Sequence, residues 1–251
     1  MNISAPIPDP TVASIPLRAV EVVRRHDHCL TIAGWPETPF AEPEDSLLWS
    51  WVQRNHDFNA RLWAEEDLAR RTTVAAEDIA ANKRAIDQFN QARNDAIERM
   101  DELMLLQLGL LHPVSGDPTQ RLSAPGATVS TRLNSETAGS IIDRLSILAL
   151  KIRAMGQQAV RSDVDENHRA HCRIRLQRLR WQREDLAGCL DALLADTKAG
   201  RACFKLYRQF KMYNDPQLNP ALVAEQRSIG GGQGAGQADR HRDDGPQGLR
   251  P

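Results

Sequence analysis

Four stretches of this chain repeat apolar side chains every three or four residues, a spacing that lines one face of an α-helix and that a strand cannot use. In the last of them, about 163–197, Cys172, Leu176, Leu179, Leu186, Leu190 and Leu193 fall on one line, with Arg183 where another apolar residue is expected. Leu47, Leu48, Trp51, Val52, Phe58 and Leu62 predict a helix over 44–71 with acidic residues in its first turn. Ile79, Ile86, Phe89, Ile97, Met100 and Met104 predict a second over 75–108. The short turn between these two makes them an antiparallel pair. A third, about 135–156, has Asn134 or Ser135 as N-cap with Glu136 and Thr137 in its first turn. Leu17, Val20 and Val23 suit one face of a shorter helix that ends near Gly34. No alternating run rich in β-branched residues occurs. The expected fold is all-α, an antiparallel bundle of about four long helices.

Around that core the composition changes. Residues 1–14 carry Pro6, Pro8 and Pro10 and are expected to be a disordered tail; 225–251, rich in glycine, glutamine, arginine and aspartate, are expected to be another. One helical domain, 15–224, remains. Within it, 109–133 holds Pro113, Gly116, Pro118, Pro125 and Gly126 and reads as a long connection that covers one end of the bundle.

Polar residues recur at helical spacing on helices otherwise built to pack. Lys83, Asp87, Asn90 and Asn94 lie along one line, flanked by Arg84, Gln91 and Asp95. Asparagine is a weaker helix former than glutamate or lysine, so Asn90 and Asn94 suggest a hydrogen-bonded network or a ligand. Glu136, Ser140, Asp143, Arg144 and Lys151 interrupt the apolar run Ile141 to Ile152, and His56, Asn59, Trp63, Glu66 and Arg70 form a third stripe. A charge inside an apolar run must reach water or a partner. Asp143 and Arg144 can therefore be structural, pairing with Arg84 or Asp87, or can line a polar pocket. Arg183 suits either account, because arginine pairs bidentately with carboxylate and phosphate alike.

Several function classes are disfavoured. Formal net charge is −1 with 26% charged residues, so no overall field draws nucleic acid. The arginines of 169–183 spread around their helix, with only Trp181 for stacking, which points away from nucleic-acid binding. No apolar run approaches the roughly 18 to 20 residues of a membrane span, and no signal peptide is evident, so a cytoplasmic location is expected. Cys29, Cys172, Cys189 and Cys203 are scattered as free thiols, without an adjoining histidine pattern for nucleophilic catalysis. His26, His28 and Cys29, like His168, His171 and Cys172, lack a second pair at zinc spacing, so no metal is expected. No cofactor is identified.

The blocks HDFNARLWAEEDLARR (56–71), KRAIDQFNQARNDAIERMD (83–101), ETAGSIIDRLSILALKI (136–152) and YRQFKMYNDPQLNP (207–220) resemble, in order, a bacterial family known as domain of unknown function 4254 over about 44–222. The resemblance supplies no mechanism. It implies a link to envelope glycan biosynthesis, since members are often encoded beside glycosyltransferases. In that family a histidine commonly follows the tryptophan of the first block, where this chain has Ala64, and a histidine with a ligand or proton-carrying role would be missing here.

The residues support two readings. In the first, His56, Asn59, Glu66, Arg70, Asp87, Asn90, Asn94, Asp143, Arg144 and Arg183 surround a polar pocket for a small anionic, hydroxylated ligand, a sugar phosphate or nucleotide sugar. Glu66 or Asp143 would be the candidate general base. In the second, the chain is a non-catalytic accessory protein that docks on a glycosyltransferase or self-associates. Because 225–251 offer almost nothing apolar to bury, deleting them should leave the melting temperature nearly unchanged. A large drop in a thermal melt would contradict that expectation.

Overall fold

The computed structural model describes residues 17–38, 46–110, 131–206, 208 and 215–231. The expected tail 1–14, most of the connection 109–133 and the end of the C-terminal tail lie outside them. The chain divides into two compact units at Arg208 rather than near 224. In the first unit the helices are α1 (Ala19–Cys29), α2 (Leu47–Leu68), α3 (Ala76–Gln107), α4 (Ala138–Ala159) and α5 (Glu166–Lys198). The second contains α6 (Pro220–Gly231), so helix continues past residue 225, where a disordered tail was expected to begin.

Local chemistry accounts for the boundaries. Ser46 caps α2, accepting from the Trp49 amide at 3.5 Å, so the acidic residues expected in the first turn fall before the helix. Thr137, not Asn134 or Ser135, caps α4 and accepts from the Ser140 amide at 3.1 Å. Asn134 instead donates to the Glu136 carbonyl at 2.6 Å. Asp165 caps α5 through the His168 amide at 2.7 Å. Gly109 and Gly200, with φ of 68° and 72°, end α3 and α5 in the left-handed conformation that lets the next amide reach back to the Leu105 or Asp196 carbonyl.

The all-α expectation holds apart from a two-residue parallel pairing of β1 (Arg132–Leu133) with β2 (Ala202–Cys203). That pairing ties the approach to α4 to the exit from α5. Helices α2 and α3 pack along each other, as do α4 and α5. Helix α4 touches α1, α2, α3 and α5, whereas α5 approaches α4, α1 and β2 but neither α2 nor α3. Among the five helices of this unit, α4 therefore has the most helical neighbours.

The core fills the space around α4. Val52 from α2, Met100 and Leu105 from α3, Ile142 and Leu145 from α4, Leu190 from α5 and the following Phe204 are fully buried. In α1 the buried face is Ala19, Val22, His26 and Cys29; Val20, expected inside, is 62% exposed. Leu17 and Val23, expected on the same face, are half-buried and pack against the core, so Val20 is the one residue of that face that turns outward.

The start of α4 sits unusually close to α3. An added Cβ at Gly139 would lie 2.7 Å from the Ile97 carbonyl oxygen and 2.9 Å from Asp101 Oδ1. That proximity lets the Gly139 amide donate to Asp101 at 2.7 Å. Burial, partly offset by hydrogen bonds from Thr137 and this amide, raises the Asp101 carboxyl to about 7. Gly139→Ala should destabilise the fold by about 1–3 kcal/mol, the range for overpacking a tight contact. Chemical denaturation would show it as a lowered midpoint; an unchanged midpoint would mean that α4 can move aside freely.

Candidate functional site

A buried carboxylate organises the polar interior. Asp143, on the inward face of α4, accepts at Oδ1 from the side-chain amides of Asn55 and Asn59, both at 2.9 Å. Arg93 of α3 faces the same oxygen at 3.6 Å from its Nε. One turn along α4, Ser146 Oγ accepts from Asn59 at 3.0 Å and stands 2.7 Å from His56 Nδ1. His56 Nε2 lies 3.2 Å from the His26 carbonyl oxygen, where it donates in the corresponding tautomer. The file runs from Arg93 through Asp143, Asn59, Ser146 and His56 to the backbone of α1.

Aromatic rings close its far end. Trp35 stacks on His56 with ring centroids 4.6 Å apart, and His26 lies 4.4 Å away on centroids. Trp35 Nε1 donates to Asp57 at 2.7 Å, and Gln53 donates to the same oxygen at 2.8 Å. Both ring nitrogens of His26 are buried without a hydrogen-bond partner. Burial first, then the neighbouring His56 and Arg183, hold its pKa well below the usual histidine value. His56 is lowered to about 3, chiefly by burial. Burial also raises the Cys29 thiol to about 11, so it remains protonated at neutral pH and is not a thiolate nucleophile.

Of the residues expected at a site, this file gathers His56, Asn59 and Asp143. Asn94 is buried on α3 and Asn90 half-buried, while Asp87 is exposed. Glu66 and Arg70 pair with each other at 2.8 Å at the end of α2. Arg144 projects from the other side of α4 and pairs with Glu136 at 2.7 Å, so neither Arg84 nor Asp87 is the partner of Asp143 or Arg144. Arg183 pairs with Asp27 of α1 at 2.7 Å, which explains a cation in an otherwise apolar seam. Ala64 is exposed on α2. Asn55, Arg93, Ser146 and His26 were missed. Asn55 precedes Asn59 by one turn and Ser146 follows Asp143 by one, so extending each stripe by a turn identifies both.

The interior file is occupied by its own side chains. Open space lies on the outward side of α4, where a groove of about 600 Å³ runs between α4 and α5. Its floor is Ile147, Leu148 and Leu186. Its rim carries the cations Arg144 and Lys151, the carboxylates Glu136 and Asp185, and Gln182. Lys151 is exposed and makes no hydrogen bond or ion pair among the described residues. Among those residues no group of three or more His, Cys, Asp or Glu side chains is arranged to hold a metal ion. Cys172 Sγ lies 3.4 Å from His168 Nε2, as a pair. Nor is any described helix long and apolar enough to cross a membrane.

A family model described as "Protein of unknown function (DUF4254)" matches residues 49–206, and the chain belongs to that family. No curated protein and no solved structure matches it.

Two predictions come from the interior file. Removing the carboxylate in Asp143→Ala strands two buried amides and Arg93, so the cost should be about 3–5 kcal/mol, typical of a broken buried pair. Equilibrium unfolding measures it, and a loss below about 1 kcal/mol would mean that water satisfies the orphaned groups. The second concerns pH. His26 and His56 have folded pKa values below the unfolded 6.5, so as pH falls from 6.5 the unfolded chain binds protons that the folded chain refuses, and stability drops. Asp101, raised from 3.8 to about 7, acts oppositely, adding stability as pH falls from 7 to 4. Two histidines against one carboxyl leave a net loss of stability from these groups as pH falls from 6 to 4. His56→Phe should flatten that slope in unfolding measured across pH.

Proposed function

We propose that this member of the DUF4254 family is a cytoplasmic binding protein for a small anionic, hydroxyl-rich ligand, a sugar phosphate or nucleotide sugar, held in the groove between α4 and α5. The observation that carries the reading is the rim. Arg144 and Lys151 lie seven residues apart on α4, two helical turns, and therefore look into the same groove. Two cations on one side suit a phosphate or diphosphate. Glu136, Asp185 and Gln182 supply acceptors and an amide for hydroxyls, and the Ile147, Leu148 and Leu186 floor suits the apolar face of a sugar or base. The unpaired thiols fit a reducing compartment.

The ligand site sits on the outer face of α4, away from the interior file. In this reading Asp143, Asn59 and His56 hold the helix that presents Arg144 and Lys151, and do not touch the ligand. Glu66 and Arg70 play no part. The groove includes no acid–base pair set toward a common reacting atom, so binding is assigned and catalysis is not. A link to envelope glycan biosynthesis, suggested by the family resemblance, agrees with such a ligand and with a bacterial origin. The second reading, an accessory protein for a glycosyltransferase, draws support from the exposed Trp181 and Ile174 on α5.

Calorimetry with a hexose 1-phosphate and a uridine-diphosphate hexose tests the proposal on the full chain. Binding to the intact protein should weaken by about tenfold or more in Arg144→Ala or Lys151→Ala, as expected for losing one charged hydrogen bond. Arg70→Ala should bind like the original. Absence of binding by the intact chain, or equal binding by both groove variants, would overturn the assignment.

A further inference from the structure

Along the middle of α5, apolar side chains face solvent and charges go unpaired. Ile174 and Trp181, seven residues and two turns apart, are 53% and 57% exposed. Gly188 continues the line by another seven, and a Cβ built there would meet nothing within 4 Å. These three residues lie on the side of α5 opposite Cys172, Leu186 and Leu190, which pack inward.

The charges beside this line are sorted by sign. Arg175, Arg178 and Arg180 precede Trp181; Glu184 and Asp185 follow it. All five are exposed and none makes a hydrogen bond or ion pair among the described residues. Arg180 and Glu184 are four residues apart, a spacing at which helices often pair such side chains, yet they stand apart. A second helix laid parallel would set arginine against arginine. Laid antiparallel, it would set each basic half against an acidic half. Trp181 is next to the midpoint of the 33-residue α5, so an antiparallel copy centred there keeps the helix in contact along its whole length, about 50 Å.

We propose that the outer face of α5 is a self-association surface on which a second copy of this chain crosses antiparallel about a two-fold axis at Trp181. Trp181 packs on the partner's Trp181, and Ile174 on the partner's Gly188, where the missing side chain leaves room. Arg178 and Arg180 face the partner's Asp185 and Glu184. The interface is isologous, as a two-fold axis requires, and its apolar centre is rimmed by complementary charge. Asp185 is shared with the rim of the α4–α5 groove, but the apolar line of Ile174, Trp181 and Gly188 is not, and the test uses no ligand.

Sedimentation of the full chain at tens of micromolar and low salt should give a particle of twice 28.0 kDa that dissociates as salt rises. Trp181→Glu and Ile174→Glu, both at exposed positions, should sediment as monomers with the circular dichroism of the original. Charge reversal supplies a sharper arm. The double variants R178E/R180E and E184R/D185R should each be monomeric alone, and an equimolar mixture should recover the dimer, because the antiparallel pairing is then complementary again. A monomeric original chain, a dimer unchanged by Trp181→Glu, or a mixture that stays monomeric would each overturn the proposal.

Discussion

The Asp143 carboxylate is the constraint that the helical arrangement must satisfy. It sits in the second turn of an apolar helix, between Ile142 and Leu145, which are fully buried. An ionised carboxylate there without partners would cost several kcal/mol, so donors have to arrive from the neighbouring helices. Asn55 and Asn59 come from α2 and Arg93 from α3. Sliding α2 by one turn, roughly 5.4 Å, would carry both amides out of reach. Apolar packing tolerates small shifts of register, whereas this set of bonds does not. Ser146 and His56 extend the same requirement to α1 through the His26 carbonyl.

Adjacent positions on α4 consequently have opposite tasks. Successive residues of a helix turn by about 100°, so a carboxylate directed inward at 143 leaves the arginine at 144 directed outward. Asp143 and Arg144 look alike in the sequence, as charges interrupting the same apolar run. Their neighbours separate them: one accepts from two buried amides and faces the Arg93 guanidinium, the other meets a rim carboxylate, Glu136, beside open space. Occupied polar interiors hold a fold together, and only unoccupied ones can receive a ligand.

The helices were largely legible because α3, α4 and α5 carry long apolar lines, and Gly109 and Gly200 stop α3 and α5, whereas α4 runs through Gly156, its expected end, to Ala159. Caps were less so. Several polar residues around 134–137 suit an N-cap equally well, and the choice of Thr137 depends on Gly139 approaching α3, a tertiary fact. Of the polar stripes, His56, Asn59 and Asp143 meet in one interior file, which Glu66, Arg70, Arg144 and Arg183 do not join. Glu66 with Arg70, and Arg144 with Glu136, find partners close by in sequence, so long-range convergence is not required of them. Arg93 was unreadable because it lies beside the Lys83–Asn94 line rather than on it. The groove was unreadable because it depends on which helices α5 fails to touch.

That omission leaves part of α5 uncovered. Helix α4 is flanked by α1, α2 and α3, and α5 covers what remains of it without reaching α2 or α3. A helix attached mainly along one side leaves a furrow at its seam and a bare outer face. The furrow is the groove; the bare face carries Ile174 and Trp181. Here the buried stripe of α5 is narrow, Cys172, Leu186, Leu190, Leu193 and Thr197, and Arg183 within the seam is tied to Asp27 of α1. The interior network therefore ties α1, α2, α3 and α4 together, while α5 contributes one wall of the groove and an exposed apolar face. Changes on the outer side of α5 are accordingly separable from stability in a way that changes at Asp143 are not.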